Sequence, residues 1–284
     1  VSTLTLAAPA KINLFLHVTG RRADGYHLLE SLVAFADCGE TVTLSPAAST
    51  TVTASGPFAA VLPQDGNDTL SRALAAFTRA TGVPFPCAVK VDKQIPAGAG
   101  LGGGSADAAA VLRGVMQLSG RTLPPAALTA LAASVGADVP VCLLHQAAVM
   151  RGIGEQVTPC PLPAPLAAVL VNPGISLSTP EIFNRRSAPF RPRLTETALS
   201  HLTEARLRAL LLETTNDLQP AAVSLAPVIG TALAALAAEA GCWLARMTGS
   251  GSTCFGLFEN AALATVAAEK LAARFAWVRA VRLS

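Results

Sequence analysis

Pro96-Ala-Gly-Ala-Gly-Leu-Gly-Gly-Gly-Ser105 packs five glycines (Gly98, Gly100, Gly102, Gly103 and Gly104) between a strand-like and a helix-like stretch. Glycine this dense costs backbone entropy that a mere turn does not require. The bare backbone lets consecutive amides turn toward one ligand. Directly behind it, Ala108, Val111, Leu112 and Val115 fall at i, i+3, i+4 and i+7. That spacing predicts a helix over 105–118 with Ser105 as its N-cap. Amides gathered at a helix N-terminus form an anion site, and a nucleotide phosphate is the anion expected there.

Two common phosphate loops fail against this stretch. A Walker A loop needs a lysine immediately before the serine, and Gly104 stands there. A dinucleotide fingerprint can be spelled from Gly98, Gly100 and Gly103, but it needs an acid about 20 residues on for the ribose. No Asp or Glu occurs between Ala108 and Ala137. The lead-in Gln94-Ile95-Pro96 is also too long for a tight strand-to-helix turn.

Outward from the loop, residues 4–18 alternate as a strand. Ile12, Leu14, Leu16 and Val18 fall on one face, and Lys11, Asn13, Phe15 and His17 on the other. A lysine and an asparagine side by side on a non-core face exceed what a structural strand needs. Further strands are expected at 32–37, 41–45, 50–54 and 87–92, and helices at 69–80 and 125–134. The run Thr158-Pro-Cys-Pro-Leu-Pro-Ala-Pro165 marks the best boundary, giving domains 1–158 and 159–284. Beyond it, strands are expected at 168–171, 243–247, 254–258 and 278–283. Helices are expected near 195–213, 221–240 and 261–274. The interleaving indicates an α+β protein.

Composition is that of a well-packed globular chain: 284 residues, 51% hydrophobic and 14% charged, with a net charge of +3. Its basic residues are scattered, so no nucleic-acid surface is expected. Arg185, Arg186, Arg191 and Arg193 are the densest basic cluster and read as a solvated loop. The six cysteines show no metal or redox spacing, and no secretion signal is visible, so a reduced cytoplasmic setting is expected. The uncharged stretch 218–238 is long enough to span a bilayer but is rich in Ala and interrupted by Pro220 and Pro227. It reads as a buried helix, and no membrane partner is expected.

Residues 96–105 resemble the second motif of the GHMP kinases, Pro-x-Gly-x-Gly-Leu-Gly-x-Gly-Ser. Pro9-Ala-Lys-Ile-Asn-Leu-Phe-Leu16 resembles their first motif and Met247-Thr-Gly-Ser-Gly-Ser-Thr-Cys254 their third. Five more segments resemble one branch of that family: Thr19–Leu29 with its Asp24-Gly-Tyr-His27, Gly136–Val141, Gly152–Glu155, Pro173–Phe183 and Asn216–Leu218. That branch phosphorylates the 2-hydroxyl of 4-diphosphocytidyl-2-C-methyl-D-erythritol with ATP, in the non-mevalonate isoprenoid pathway. The resemblance implies a two-domain fold, with a ribosomal protein S5 domain 2-like N-terminal domain and a ferredoxin-like C-terminal domain. The active site is expected in the cleft between them.

It also assigns roles. Asp138, a lone acid among apolar neighbours, reads from the residues alone as either a turn cap before Pro140 or a functional group. The resemblance makes it the catalytic base, with Lys11 as charge stabiliser. For ATP it implies Lys93 and the loop Pro96, Ala97, Gly98, Ala99, Gly100, Leu101, Gly102, Gly103, Gly104, Ser105 and Ala106, with Ser105 reaching Mg²⁺ or a phosphate oxygen. The family's adenine-contacting Asn falls on Asp68, with Asn67 one place earlier, and the choice between Asn67 and Asp68 stays open. For the cytidine diphosphate alcohol it implies Tyr26 and Phe183 on the two faces of the cytosine, and His27 at its edge. Asn13 and Thr179 would line the same pocket. The glycine-rich stretch 248–252 is expected either to close on the substrate diphosphate or to support the phosphate loop. Two other readings compete: a kinase of another small alcohol, and a nucleotide-binding module that has lost catalysis.

Overall fold

The computed structural model describes residues 3–62 and 68–284. Its spine is a long antiparallel hairpin of β1 (Leu4–Arg21) and β2 (His27–Pro46). The strands expected at 32–37 and 41–45 are thus one strand. Gly39 lets it run on, because a side chain there would meet the Pro9 backbone at 2.5 Å. β1 occupies one edge of β2 throughout. The other edge is shared out along its length. β5 (Ala148–Gly152) takes Leu29–Val33, and β4 (Cys87–Asp92) takes Thr41–Pro46. β3 (Thr51–Ser55) adds to β4 in parallel, and β6 (Gln156–Pro159) adds to β5.

Four helices cover this sheet: α1 (Thr69–Thr81), α2 (Gly103–Ser119), α3 (Pro125–Val135) and α4 (Val139–Leu144). α2 packs on α1, β1, β2 and α4, and its Ala108, Val111, Leu112 and Val115 are fully buried. The helical spacing read from the sequence therefore faces the core.

Past the proline-rich run, a second sheet orders β10 (Trp277–Leu283), β7 (Leu166–Asn172), β9 (Cys254–Phe258) and β8 (Cys242–Met247), all antiparallel. α9 (Val228–Ala237) and α10 (Ala261–Ala272) pack on it. α5 (Thr179–Arg185), α6 (Glu196–Leu199), α7 (Glu204–Glu213) and α8 (Gln219–Leu225) complete the chain. The single helix expected at 221–240 is two, divided at Ala226–Pro227. Pro227 cannot donate to the helix ladder and disfavours helical backbone before it. Among the described residues no helix is long and apolar enough to cross a membrane. The sheets meet where Leu283 pairs with Ala36 and Ser284 exchanges two backbone hydrogen bonds with Phe35.

β1 departs from simple alternation. Its register shifts between Pro9 and Lys11, between Asn13 and Phe15, and between Val18 and Gly20. The first shift places the extra residues in β2, whereas the second and third each insert one residue in β1, and a bulge re-aims the side chains beyond it. Ile12, Leu14 and Phe15 consequently enter one hydrophobic cluster, while Leu16 and Val18 enter the other. Lys11, Asn13 and His17, expected on a non-core face, are not outside the core, since all three are at most 4% exposed.

Candidate active site

A cleft of about 590 Å³ is bounded by β1, the glycine loop, the segment before α4, α5 and the turn between β8 and β9. Pro96 to Ser105 all line it. The helix does not start at a Ser105 cap. Gly102, at φ +68, is the cap, and α2 begins at Gly103. Only glycine adopts that left-handed geometry without strain. Ser105 therefore sits in the first helical turn, where backbone N–H groups lack intrahelical partners. Ala106 lies behind the loop: it is buried, and its N–H is spent on Gly102 O.

The turn 248–253 braces this loop from below. Thr253 N–H donates to Ala99 O at 3.1 Å, and a side chain on Gly100 (φ +74) would meet Thr248 O at 2.5 Å. Thr248 Oγ1 also accepts from Asn13 N–H at 2.9 Å, so one threonine ties the first and third motifs together. Asn216 Nδ2 donates to Met247 O and Gly249 O, both at 2.8 Å, and fixes the turn from the other side. Arg246 secures its root. The guanidinium donates to Leu14 O, Leu211 O and Thr214 O, each at 2.6 Å. Leu14 is the residue left out of the ladder by the second bulge. Burial pulls the Arg246 pKa down to about 10.

Lys11 Nζ stands 3.0 Å from Asp138 Oδ2, with Lys11 buried and the Asp138 side chain 33% exposed to the cleft. Asp138 occupies the N-cap position of α4 but makes no capping hydrogen bond. The turn-cap reading therefore fails. Lys11 also donates to Asn13 Oδ1 at 2.9 Å, and Asn13 Nδ2 donates to Ser31 Oγ at 2.8 Å. Asn13 lines the cleft, yet both ends of its amide are engaged within the protein.

Lys93 lines the cleft but is held by two buried carboxyl groups, Glu40 Oε2 at 2.6 Å and Asp107 Oδ2 at 2.8 Å. Burial pushes Glu40 up to about 9, and the Asp107 carboxyl hydrogen-bonded beside it adds to the push, while Lys93 opposes it. Burial works against the Lys93 charge, but Asp107 and Glu40 outweigh it and raise its pKa. Glu40 and Asp107 escaped the sequence reading. Asp107 carried one signal, an acid two residues past the loop on the buried face of an alanine-rich helix. Glu40 Oε1 and Asp107 Oδ1 are buried without partners.

Asp68 lines the cleft, with Oδ1 accepting from Leu70 N–H and Ser71 N–H and Oδ2 from Ser71 Oγ. It is thus the N-cap of α1. Asn67 lies outside the described residues. Thr179 and Phe183 line the far end of the cleft, and Thr179 Oγ1 pairs with Ser250 Oγ at 2.8 Å. His27 lies on the face of Phe183, with centroids 4.9 Å apart and rings 21° from parallel. Tyr26 is 61% exposed beside it. Burial holds the His27 imidazole below its usual pKa, and Arg21 and Arg186 add to the effect. The basic cluster is only partly solvated. The Arg186 side chain is buried 3.9 Å from Asp217 with its guanidinium over Phe190, and Arg191 donates to Asp217 at 2.7 Å. Asp217 is buried and can hold them through charge.

The model for the GHMP kinases N terminal domain matches residues 68–146, and that for the GHMP kinases C terminal domain matches 198–276. The chain is 46% identical over 278 residues to the 4-diphosphocytidyl-2-C-methyl-D-erythritol kinase of Paramagnetospirillum magneticum, covering 98% of this chain and 97% of that protein. It is 45% identical over 292 aligned residues to the kinase of the same description from Methylorubrum extorquens, covering both in full. A crystal structure of a 4-(cytidine 5'-diphospho)-2C-methyl-D-erythritol kinase superposes with TM-score 0.82 at 36% identity over 99% of each chain. A homoserine kinase from Cytophaga hutchinsonii, with TM-score 0.69 at 18% identity over 99% of this chain and 96% of that one, shares the fold.

Proposed function

The chain belongs to the GHMP kinases, and with that as premise we propose that it transfers the γ-phosphoryl group of ATP to the 2-hydroxyl of 4-diphosphocytidyl-2-C-methyl-D-erythritol. The observation that carries this reading is the Lys11–Asp138 pair, 3.0 Å apart and lining the same cleft as the glycine loop. Residues 1–158 form the unit that holds ATP and the Lys–Asp pair, and residues 159–284 supply the opposite wall.

Phosphoryl transfer asks a protein mainly for positioning and charge stabilisation. The amides of the first turn of α2 and of Gly98–Gly104 receive the triphosphate, backed by the turn 248–253. Asp138 takes the proton from the 2-hydroxyl as the oxygen attacks the γ-phosphorus in line with the leaving ADP. Lys11 steadies the negative charge on that oxygen. Mg²⁺ prefers oxygen ligands and keeps several waters. Ser105 Oγ, in the first turn of α2 and lining the cleft, suits it as a protein ligand. When bound, the ion neutralises charge on the β- and γ-phosphates.

At the other end, Phe183 with His27 on its face, and the exposed Tyr26 next to His27 in the chain, are the aromatic groups assigned to the cytosine. An uncharged His27 can accept a hydrogen bond from the base's amino group, which an imidazolium cannot. ATP turnover with the cytidylyl alcohol, set beside homoserine, mevalonate and galactose, tests the assignment. ADP is expected with the cytidylyl alcohol alone. Equal turnover with another alcohol would overturn the substrate assignment.

A further inference from the structure

Behind the Lys11–Asp138 pair runs a directional chain of buried hydrogen bonds. Lys11 Nζ donates to Asn13 Oδ1 at 2.9 Å, Asn13 Nδ2 donates to Ser31 Oγ at 2.8 Å, and Ser31 Oγ donates to Phe15 O at 2.5 Å. Asn13 and Ser31 are fully buried, and Lys11 is 3% exposed. Direction matters here. A serine hydroxyl has one proton, and Ser31 commits it to a carbonyl, so toward Asn13 it can only accept. The Asn13 amide must then present its NH₂ to Ser31 and its oxygen to Lys11. The reversed amide would set donors against an ammonium.

We propose that Ser31 is a positioning residue for the phosphoryl transfer: it fixes the orientation of the Asn13 amide and thereby holds the Lys11 ammonium in front of Asp138. This rests on the reading that Lys11 and Asp138 carry the transfer. The Asn13 backbone is already anchored by Thr248 Oγ1, so the amide torsion is the soft element that remains. Water cannot readily replace the hydroxyl at a site this buried, and a donor left without a partner there drives the amide to seek another arrangement. Asn13, spent at both ends, acts as the link between Ser31 and Lys11.

The experiment is a cycle of Ser31→Ala, Asn13→Ala and the double variant, with steady-state kinetics on the full chain. Ser31→Ala is expected to lower kcat by about 10- to 100-fold, the scale of a slightly misplaced catalytic group, with KM for both substrates within about twofold. In the Asn13→Ala background the same change should cost nothing further. Ser31→Cys, which fills the space with a weak donor and acceptor, should fall between. A crystal structure of Ser31→Ala reads the chain without any substrate: the amide should be reversed or split, with Lys11 Nζ out of reach of Asp138. Wild-type kcat in Ser31→Ala, an additive loss in the Asn13→Ala background, or a Lys11 still seated on Asp138 would overturn the proposal. Failure of the activity reading looks different, because the wild-type chain itself would then release no ADP with the cytidylyl alcohol.

Discussion

Lys11 Nζ and Asp138 Oδ2, 3.0 Å apart, join the middle of the first strand to the residue before α4. Lys11 and Asn13 stand two residues apart in the regular stretch of β1 between two register shifts, so alternation puts both side chains on the cleft. Asp138, free of any capping bond, has its carboxylate available for the substrate hydroxyl. Chemistry and fold stability are therefore separable at this residue.

Asp138→Asn should lower kcat by about 10²- to 10⁴-fold, the usual contribution of a general base. ATP KM should change little, because the phosphate loop does not touch this carboxylate in any hydrogen bond. The thermal midpoint should stay near wild type. Turnover within a few-fold of wild type would remove Asp138 from the mechanism.

Gly100→Ala should weaken ATP binding by tenfold or more, the cost of roughly 1–3 kcal/mol of backbone strain and clash at a functional turn. The residue combines φ +74 with a close approach to Thr248 O. Gly82→Ala is the control: φ is +69, but nothing lies within 4 Å of the new Cβ. It should cost stability alone and leave ATP KM unchanged. Nucleotide titration of both variants decides between a braced loop and a loop that merely needs glycine.

Phe183→Ala removes the face on which His27 lies. Stacking on an aromatic side chain contributes about 1–3 kcal/mol per base, so KM for the cytidylyl alcohol should rise about 5- to 150-fold. ATP KM should not move. A parallel rise in both would mean that the residue serves the whole cleft instead of the base.

His17 gives a pH signature. Burial holds its imidazole below 6.5, Asp217 opposing and Arg191 adding. The unfolded chain takes up a proton near 6.5, whereas the folded chain does so only at lower pH. Stability is thus lost as pH falls through 6.5 toward the folded value, and this contribution is flat above it. His17→Gln keeps an acceptor for Thr215 N–H, which His17 Nε2 accepts at 3.3 Å, and should lose that extra slope. Urea midpoints at about pH 7.5 and about pH 5.5 provide the comparison. An equal drop in both proteins would count against the buried neutral imidazole.

Much of this was legible in the chain. The glycine density at 98–104, the apolar spacing behind it and the motif resemblances led to the two-domain GHMP kinase fold, which the family matches and the superposition bear out. Strand bulges were not legible, because a bulge in β1 depends on what β2 offers opposite each residue. Strict alternation therefore puts Phe15 on the wrong side. Residue type alone puts the cap at Ser105 because serine is a strong capping residue, while the true start depends on Gly102 reaching a left-handed turn. The partners of Lys93 were hidden for a different reason. Glu40, Lys93 and Asp107 come from β2, the residue after β4 and α2, and no local pattern links them. Ser31 carried no signal at all, since an isolated serine in an apolar strand reads the same whether or not it orders an asparagine.

The most direct test of the central claim is the phosphorus NMR spectrum of the wild-type chain with ATP, Mg²⁺ and 4-diphosphocytidyl-2-C-methyl-D-erythritol. The account predicts one new phosphomonoester resonance, growing in step with ADP while the two signals of the cytidine diphosphate group persist. ADP accompanied only by inorganic phosphate, or a cytidine diphosphate group cleaved in the process, would contradict it.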